Sequence, residues 1–217
     1  AAIYCKTGEC EIRITARAST PEEGEKMCRD YATKFYDLLG DAVYDEDVAG
    51  LEETLVHTLK QQGLSLSTAE SCTGGMIAQR ITSVSGASEV FGYGFVTYWA
   101  EAKTRLVGVQ PEVIERYNVV SAPVAAQMAL GAAQASGSDI AVSVTGLAGP
   151  GGGDAVRPVG TVYLGAARGG TVYVQKLFVS RPDRALVRAR AAQAALTLAL
   201  RLAQGKVPAH TKPLAAA

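Results

Sequence analysis

Histidine is almost missing: the 217 residues hold two, His57 and His210. That shortage removes the commonest general base and metal ligand from most of the chain. His57 falls in an amphipathic helical run and reads as a helix-surface or boundary residue, and His210 lies in a Pro-rich tail. Neither has a histidine neighbour at ligand spacing, so no transition-metal site and no cofactor is expected. Cysteine is sparse too. Residues 5, 10, 28 and 72 form no Cys-x-x-Cys, which argues against a zinc motif or a disulfide framework and for reduced thiols. No apolar run reaches the roughly 18 residues of a membrane span, and no basic-then-apolar secretory signal opens the chain. A soluble, cytoplasmic protein without a membrane partner is expected. No dense Lys/Arg run interleaves with aromatics, so nucleic acid is not an expected ligand. Net charge is zero, yet residues 1–50 carry −5 and residues 51–217 carry +5. Two separately solvated surfaces explain that split, and so does a larger part that handles a small anion.

Patterning divides the chain at an acidic joint, Asp45-Glu46-Asp47-Val48-Ala49-Gly50. Before it, residues 2–18 alternate around Lys6-Thr7-Gly8 as a hairpin. Thr20-Pro21-Glu22-Glu23 starts a helix that Gly40 should end near Leu39. A short strand is expected at Ala42–Tyr44. After the joint come a helix from Leu51 to Gln62, a strand at Leu64–Ala69 and a helix at Thr73–Thr82. Next are an aromatic, Gly-rich strand at Val90–Tyr98 and short helices at Glu101–Val107 and Pro111–Tyr117. A long Ala-rich helix opened by Ser121 precedes a buried strand at Ile140–Val144. Strands at Val159–Ala167 and Thr171–Val179 turn at Arg168-Gly169-Gly170, and a helix from Pro182 to about Gln204 closes the chain. That order predicts an α/β, three-layer-like domain over residues 50–205, with helices covering a mixed parallel/antiparallel sheet. A small α+β fragment at 1–48 precedes it, and a frayed tail at 206–217 follows.

The chemistry concentrates in Thr68-Ala69-Glu70-Ser71-Cys72-Thr73-Gly74-Gly75, at a strand-to-helix junction. Backbone N–H groups left free there can hold a phosphate or an oxyanion. Ser71 either caps the helix or attacks a substrate, and as a nucleophile it needs a base. Lys103, Glu70 and Glu101 are the candidates. Lys103 qualifies only if its amine is buried or beside positive charge; otherwise it is a solvated helix lysine. Tyr98 ends the aromatic strand five residues earlier. Cys72 is a rival nucleophile if the helix start lowers its pKa, and a small buried residue if not. A Gly-rich loop, Gly146 to Gly153, follows the buried strand ending at Thr145. It lacks the Gly-Lys-Ser/Thr of a phosphate loop; it is either a ligand-binding loop or a flexible connection. Arg181 and Arg184 could clamp a phosphate.

Together these stretches resemble the C-terminal domain of the CinA family (competence/damage-inducible proteins). The likeness runs through Thr68–Gly75, Gly94–Tyr98 with Glu101-Ala102-Lys103, Val119–Val124, Ser143–Pro150 and Pro158–Val162, covering about residues 50–204. Residues 1–48 resemble the end of that family's KH-like connecting segment. The resemblance implies a nicotinamide mononucleotide amidohydrolase of pyridine-nucleotide salvage, working by a metal-free Ser–Lys mechanism. It implies Ser71 as nucleophile, Lys103 as base and Tyr98 as proton relay. The expected substrate-binding residues are Glu70, Cys72, Thr73, Gly74, Gly75, Thr145, Gly146, Gly149 and Arg184, with Arg181 competing for the role of Arg184. The expected partner is a pyridine nucleotide, and a homodimer suits the apolar helix faces. Longer family members carry a further domain associated with ADP-ribose hydrolysis; that activity is not assigned here. The alternative is a non-catalytic nucleotide-binding module linked to competence or the DNA damage response.

Overall fold

The alternation at the N-terminus folds as expected into a hairpin. In the computed structural model, which describes residues 1–181, 183–208 and 210–214, β1 (Ala2–Lys6) pairs antiparallel with β2 (Glu9–Arg13). Gly8, at φ +88°, supplies the left-handed backbone of the two-residue turn. Helix α1 (Pro21–Leu39) follows; the Thr20 side chain accepts the Glu23 N–H at 3.3 Å, and the Glu23 carboxylate reaches back to the Ser19 N–H at 3.0 Å. The strand expected at Ala42–Tyr44 does not form. Gly40–Ala42 is a 3-10 turn instead, opened by Gly40 at φ +52°, and among the described residues no strand pairs with 42–44. Residues 1–48 form one compact unit in which no side chain is buried.

Residues 49–217 form a second unit with its own core. Helix α2 (Leu51–Gln62) ends at Gly63 in the left-handed conformation. Then come β3 (Leu66–Glu70), α3 (Met76–Thr82), β4 (Phe91–Val96), α4 (Ala100–Val107), α5 (Pro111–Tyr117), α6 (Ala122–Ser136), β5 (Ile140–Gly146), β6 (Thr161–Arg168), β7 (Thr171–Phe178), α7 (Arg184–Ala203) and β8 (Lys212–Leu214). The sheet order is β4-β3-β5-β6-β7-β8; β3 is parallel to both neighbours and the remaining pairs are antiparallel. This is the mixed sheet under helices that the sequence predicts.

Period-two alternation sorts the layers. Ala69 and Ala141 point to α6, packing on Val124, Met128 and Ala132. Residues of opposite parity on β5 face α7, which also packs on α2 and α3. Several boundaries move, among them the end of β4 at Val96 rather than Tyr98. Helix α7 starts at Arg184, because the Asp183 carboxylate accepts the Leu186 N–H at 3.0 Å; Pro182, the expected start, lies outside the described residues. The tail expected to fray instead supplies β8, which pairs Lys212, Pro213 and Leu214 with Val174, Tyr173 and Val172. Pro213 is tolerated because β8 is an edge strand.

Candidate active site

Strand β3 is buried along its whole length and delivers Glu70 and Ser71 to the carboxyl end of the parallel strands. The chain leaves the sheet there, held by the Ser71 N–H donating to the Val144 carbonyl at 2.9 Å. Gly74 and Gly75, at φ +59° and +94°, turn it into α3, a path that side-chain-bearing residues resist.

Lys103 enters from α4, the helix after β4. Its Nζ lies 3.0 Å from Ser71 Oγ and donates to the Thr97 carbonyl at 2.6 Å. Lys103 is 1% exposed and is among the largest fully buried side chains, and among the described residues no carboxylate is bonded to it. Burial in low dielectric disfavours the ammonium and pulls its pKa from 10.5 down to about 8. Of the expected bases, Lys103 is the one hydrogen-bonded to the Ser71 hydroxyl among the described residues. Glu101 is exposed and paired with Arg105 at 3.1 Å.

Glu70 takes a different role from either one expected of it. Its carboxylate is 1% exposed and accepts three N–H groups of its own chain: Gly75 at 3.0 Å, Ile77 at 3.1 Å and Ala78 at 2.9 Å. It caps α3 from the preceding strand, so that helix start is closed to a ligand anion. The Gly74 N–H is also engaged, on the Ser71 carbonyl at 3.1 Å. Among the described residues, no other residue takes the N–H of Cys72 or Thr73.

Cys72 is 5% exposed, and burial pushes its thiol up to about 11, so a thiolate is disfavoured there. Among the described residues the buried Thr73 hydroxyl has no partner. Thr145 is 1% exposed and donates to the Val119 carbonyl at 2.7 Å, joining the fold rather than standing free. Gly146 is small for packing: a Cβ there would come within 2.8 Å of Val162 and 3.0 Å of the Thr161 carbonyl.

A second cluster forms around α7. Arg184 donates to the Gly149 carbonyl at 2.8 Å and to the Tyr98 hydroxyl at 3.3 Å. Tyr98 is exposed, and among the described residues no hydrogen bond links it to Ser71 or Lys103. The expected relay therefore has no connection in this arrangement; Lys103 meets Ser71 directly. Arg181 is exposed.

Arg188 is the residue that sequence reasoning missed. One turn after Arg184, it donates from Nε to the Cys72 carbonyl at 3.1 Å and from Nη2 to the Thr73 carbonyl at 2.8 Å. Its i, i+4 spacing from Arg184 is the one signal the sequence offers. Among the described residues, no three His, Cys, Asp or Glu side chains gather as a metal site. No helix there is long and apolar enough to cross a membrane.

Comparison with known proteins agrees with this architecture. Residues 48–203 match the family described as the CinA C-terminal domain. A CinA-like protein of Kosmotoga olearia is 44% identical over 193 residues, covering 89% of this chain and 47% of the relative. A putative competence-damage inducible protein of Caldicellulosiruptor saccharolyticus is 43% identical over 196 residues, covering 90% of this chain and 47% of its own. The chain thus spans about half the length of the curated relatives it matches. Among crystal structures, the competence/damage inducible protein CihA from Agrobacterium tumefaciens superposes with a TM-score of 0.70 at 38% identity, covering 74% of this chain and 98% of that one. A CinA superfamily protein from Escherichia coli gives 0.65 at 33% identity, covering 76% and 98%. With the match extending over most of the second unit, the chain belongs to the CinA family, through its C-terminal domain.

Proposed function

We propose that this chain hydrolyses the carboxamide of nicotinamide mononucleotide, giving nicotinic acid mononucleotide and ammonia, with Ser71 as nucleophile and Lys103 as base. The observation that carries the reading is the buried amine 3.0 Å from the Ser71 hydroxyl, with a pKa near 8. Roughly a quarter of such an amine is neutral at pH 7.5. Neutral Lys103 keeps one N–H on the Thr97 carbonyl and turns its lone pair to the Ser71 O–H. Ser71 then attacks the carboxamide carbon as its proton passes to Nζ. The N–H groups of Cys72 and Thr73 are the donors available to the oxyanion, a contribution of about 3 kcal/mol for each well-placed donor. The Lys103 ammonium protonates the departing nitrogen and ammonia leaves. Water, deprotonated by the regenerated amine, hydrolyses the ester. Arg188 holds the Cys72 and Thr73 carbonyls and so steadies the loop after Ser71, including the peptide unit that carries the Thr73 N–H. Arg184 has donors left over after its bonds to Gly149 and Tyr98, and these suit the nucleotide phosphate.

The test is ammonia release from nicotinamide mononucleotide by the purified chain, with a chelator present. Ser71→Ala should abolish it and Cys72→Ala should leave most of it. The opposite pattern transfers the chemistry to the thiol, and no release from the parent chain ends the proposal. A nucleotide-binding module without turnover would tolerate Lys103→Arg, since charge alone would matter; an amidase would not.

A further inference from the structure

We propose that Cys5 and Cys10 form a modification site: a cross-strand dithiol that closes to a disulfide by exchange with a small-molecule disulfide. In the β1–β2 hairpin Cys5 stands directly opposite Cys10, one rung from the turn-flanking pair Lys6 and Glu9. A two-residue turn makes the flanking pair a hydrogen-bonded one, so the next rung is of the non-hydrogen-bonded kind. There the Cα atoms of an antiparallel pair lie roughly 4.5 Å apart with side chains on one face, inside the roughly 4.4–6.8 Å span of natural disulfides. Both thiols are free and exposed. Their pairing across the ribbon also shows electrostatically: the pKa of Cys10 is raised, first by hydrogen bonding to Cys5, then by the charge of Cys5.

The exchange balances in two steps. One thiolate attacks a sulfur of the small disulfide, forming a mixed disulfide and releasing one thiol. The facing cysteine then attacks the protein sulfur of that mixed disulfide and expels the second thiol. The dithiol loses two electrons and two protons, and the small disulfide is reduced to two thiols. The proximity of the second cysteine keeps the mixed disulfide short-lived. This inference is independent of the nicotinamide reading.

The experiment treats the whole chain with oxidised glutathione under native conditions, alkylates the remaining thiols and maps the products by mass spectrometry. Expected is a loss of two mass units and a cross-linked pair of tryptic peptides, because Lys6 separates the two cysteines. Cys10→Ser should instead accumulate a glutathione adduct on Cys5. The control is the double substitution Cys10→Ser with Glu11→Cys, which keeps two thiols in the hairpin but moves one to the other face of the ribbon. Closure should slow at least tenfold. Equal closure in this control, two separate glutathione adducts on the parent, or chain-to-chain disulfides would each overturn the proposal.

Discussion

At the scale of the residue, Lys103 sets the behaviour of the site. Lys103→Arg should lower kcat by about 10²–10⁴, the usual worth of a general base, since a guanidinium cannot give up its proton. In the parent, kcat/KM should rise with pH and level off above about 8, because the neutral amine is the active form. A flat profile between pH 6.5 and 9 would remove Lys103 from the mechanism. Arg188→Gln should reduce kcat at least tenfold while KM and the pH of the rising limb stay put, because the base is untouched and only the nucleophile's loop loosens; a KM effect alone would make Arg188 a binding residue. The residue types alone left Lys103, Glu70 and Glu101 open as partners of Ser71; the resemblance to the CinA family singled out Lys103, and the structure sets its amine beside the Ser71 hydroxyl. Arg188 was not legible in the sequence, since an arginine in an Ala-rich helix looks like a solvated one. Glu70 was legible as special but not in its role. Beside a serine with no histidine, a carboxylate suggests a base, and only the path of the chain shows its oxygens turned back onto α3.

At the scale of the element, that carboxylate holds a strand to a helix. Helix α3 has 7 residues, too short to be stable alone, and two of its early N–H groups, with that of its N-cap Gly75, bond to Glu70. Glu70→Gln replaces one acceptor oxygen with a donor and should cost roughly 2–3 kcal/mol. Calorimetry should then show a Tm lower by about 5–10 °C; an unchanged Tm would mean the cap contributes nothing. Helix α6 depends on a missing side chain instead. A Cβ at Gly131 would collide with the Val107 carbonyl at the end of α4. Gly131→Ala should therefore destabilise by about 1–3 kcal/mol, against the usual gain from alanine in a helix interior. Denaturant titration gives the sign. Strand and helix order followed from periodicity, while the ends did not. Residues such as Tyr98 and Trp99 have strand-like chemistry but leave the sheet after Val96, where the turn into α4 begins.

At the scale of the whole molecule, the two units differ in kind. Residues 49–217 hold the buried core and all residues of the candidate site, whereas residues 1–48 bury no side chain. A chain of residues 49–217 should keep the parent's thermal transition within a few degrees and its ammonia release within twofold; loss of either would make the first unit necessary. The division falls at the acidic joint, whereas β8 stayed hidden in the sequence, since a three-residue strand with a central proline carries no alternation to read. The core unit also houses a charge it would be steadier without. The unfolded chain keeps the Lys103 amine protonated up to pH 10.5, and the folded chain only to about 8, so stability should increase between those values and carry the full cost below 8, roughly 3 kcal/mol. Lys103→Met should flatten that slope. The roughly 3 kcal/mol relieved exceeds the loss of the neutral hydrogen bonds to Thr97 and Ser71, about 1 kcal/mol each. A library of variants screened only for surviving heat would thus drift away from lysine at this position, and the survivors would be durable and inert together.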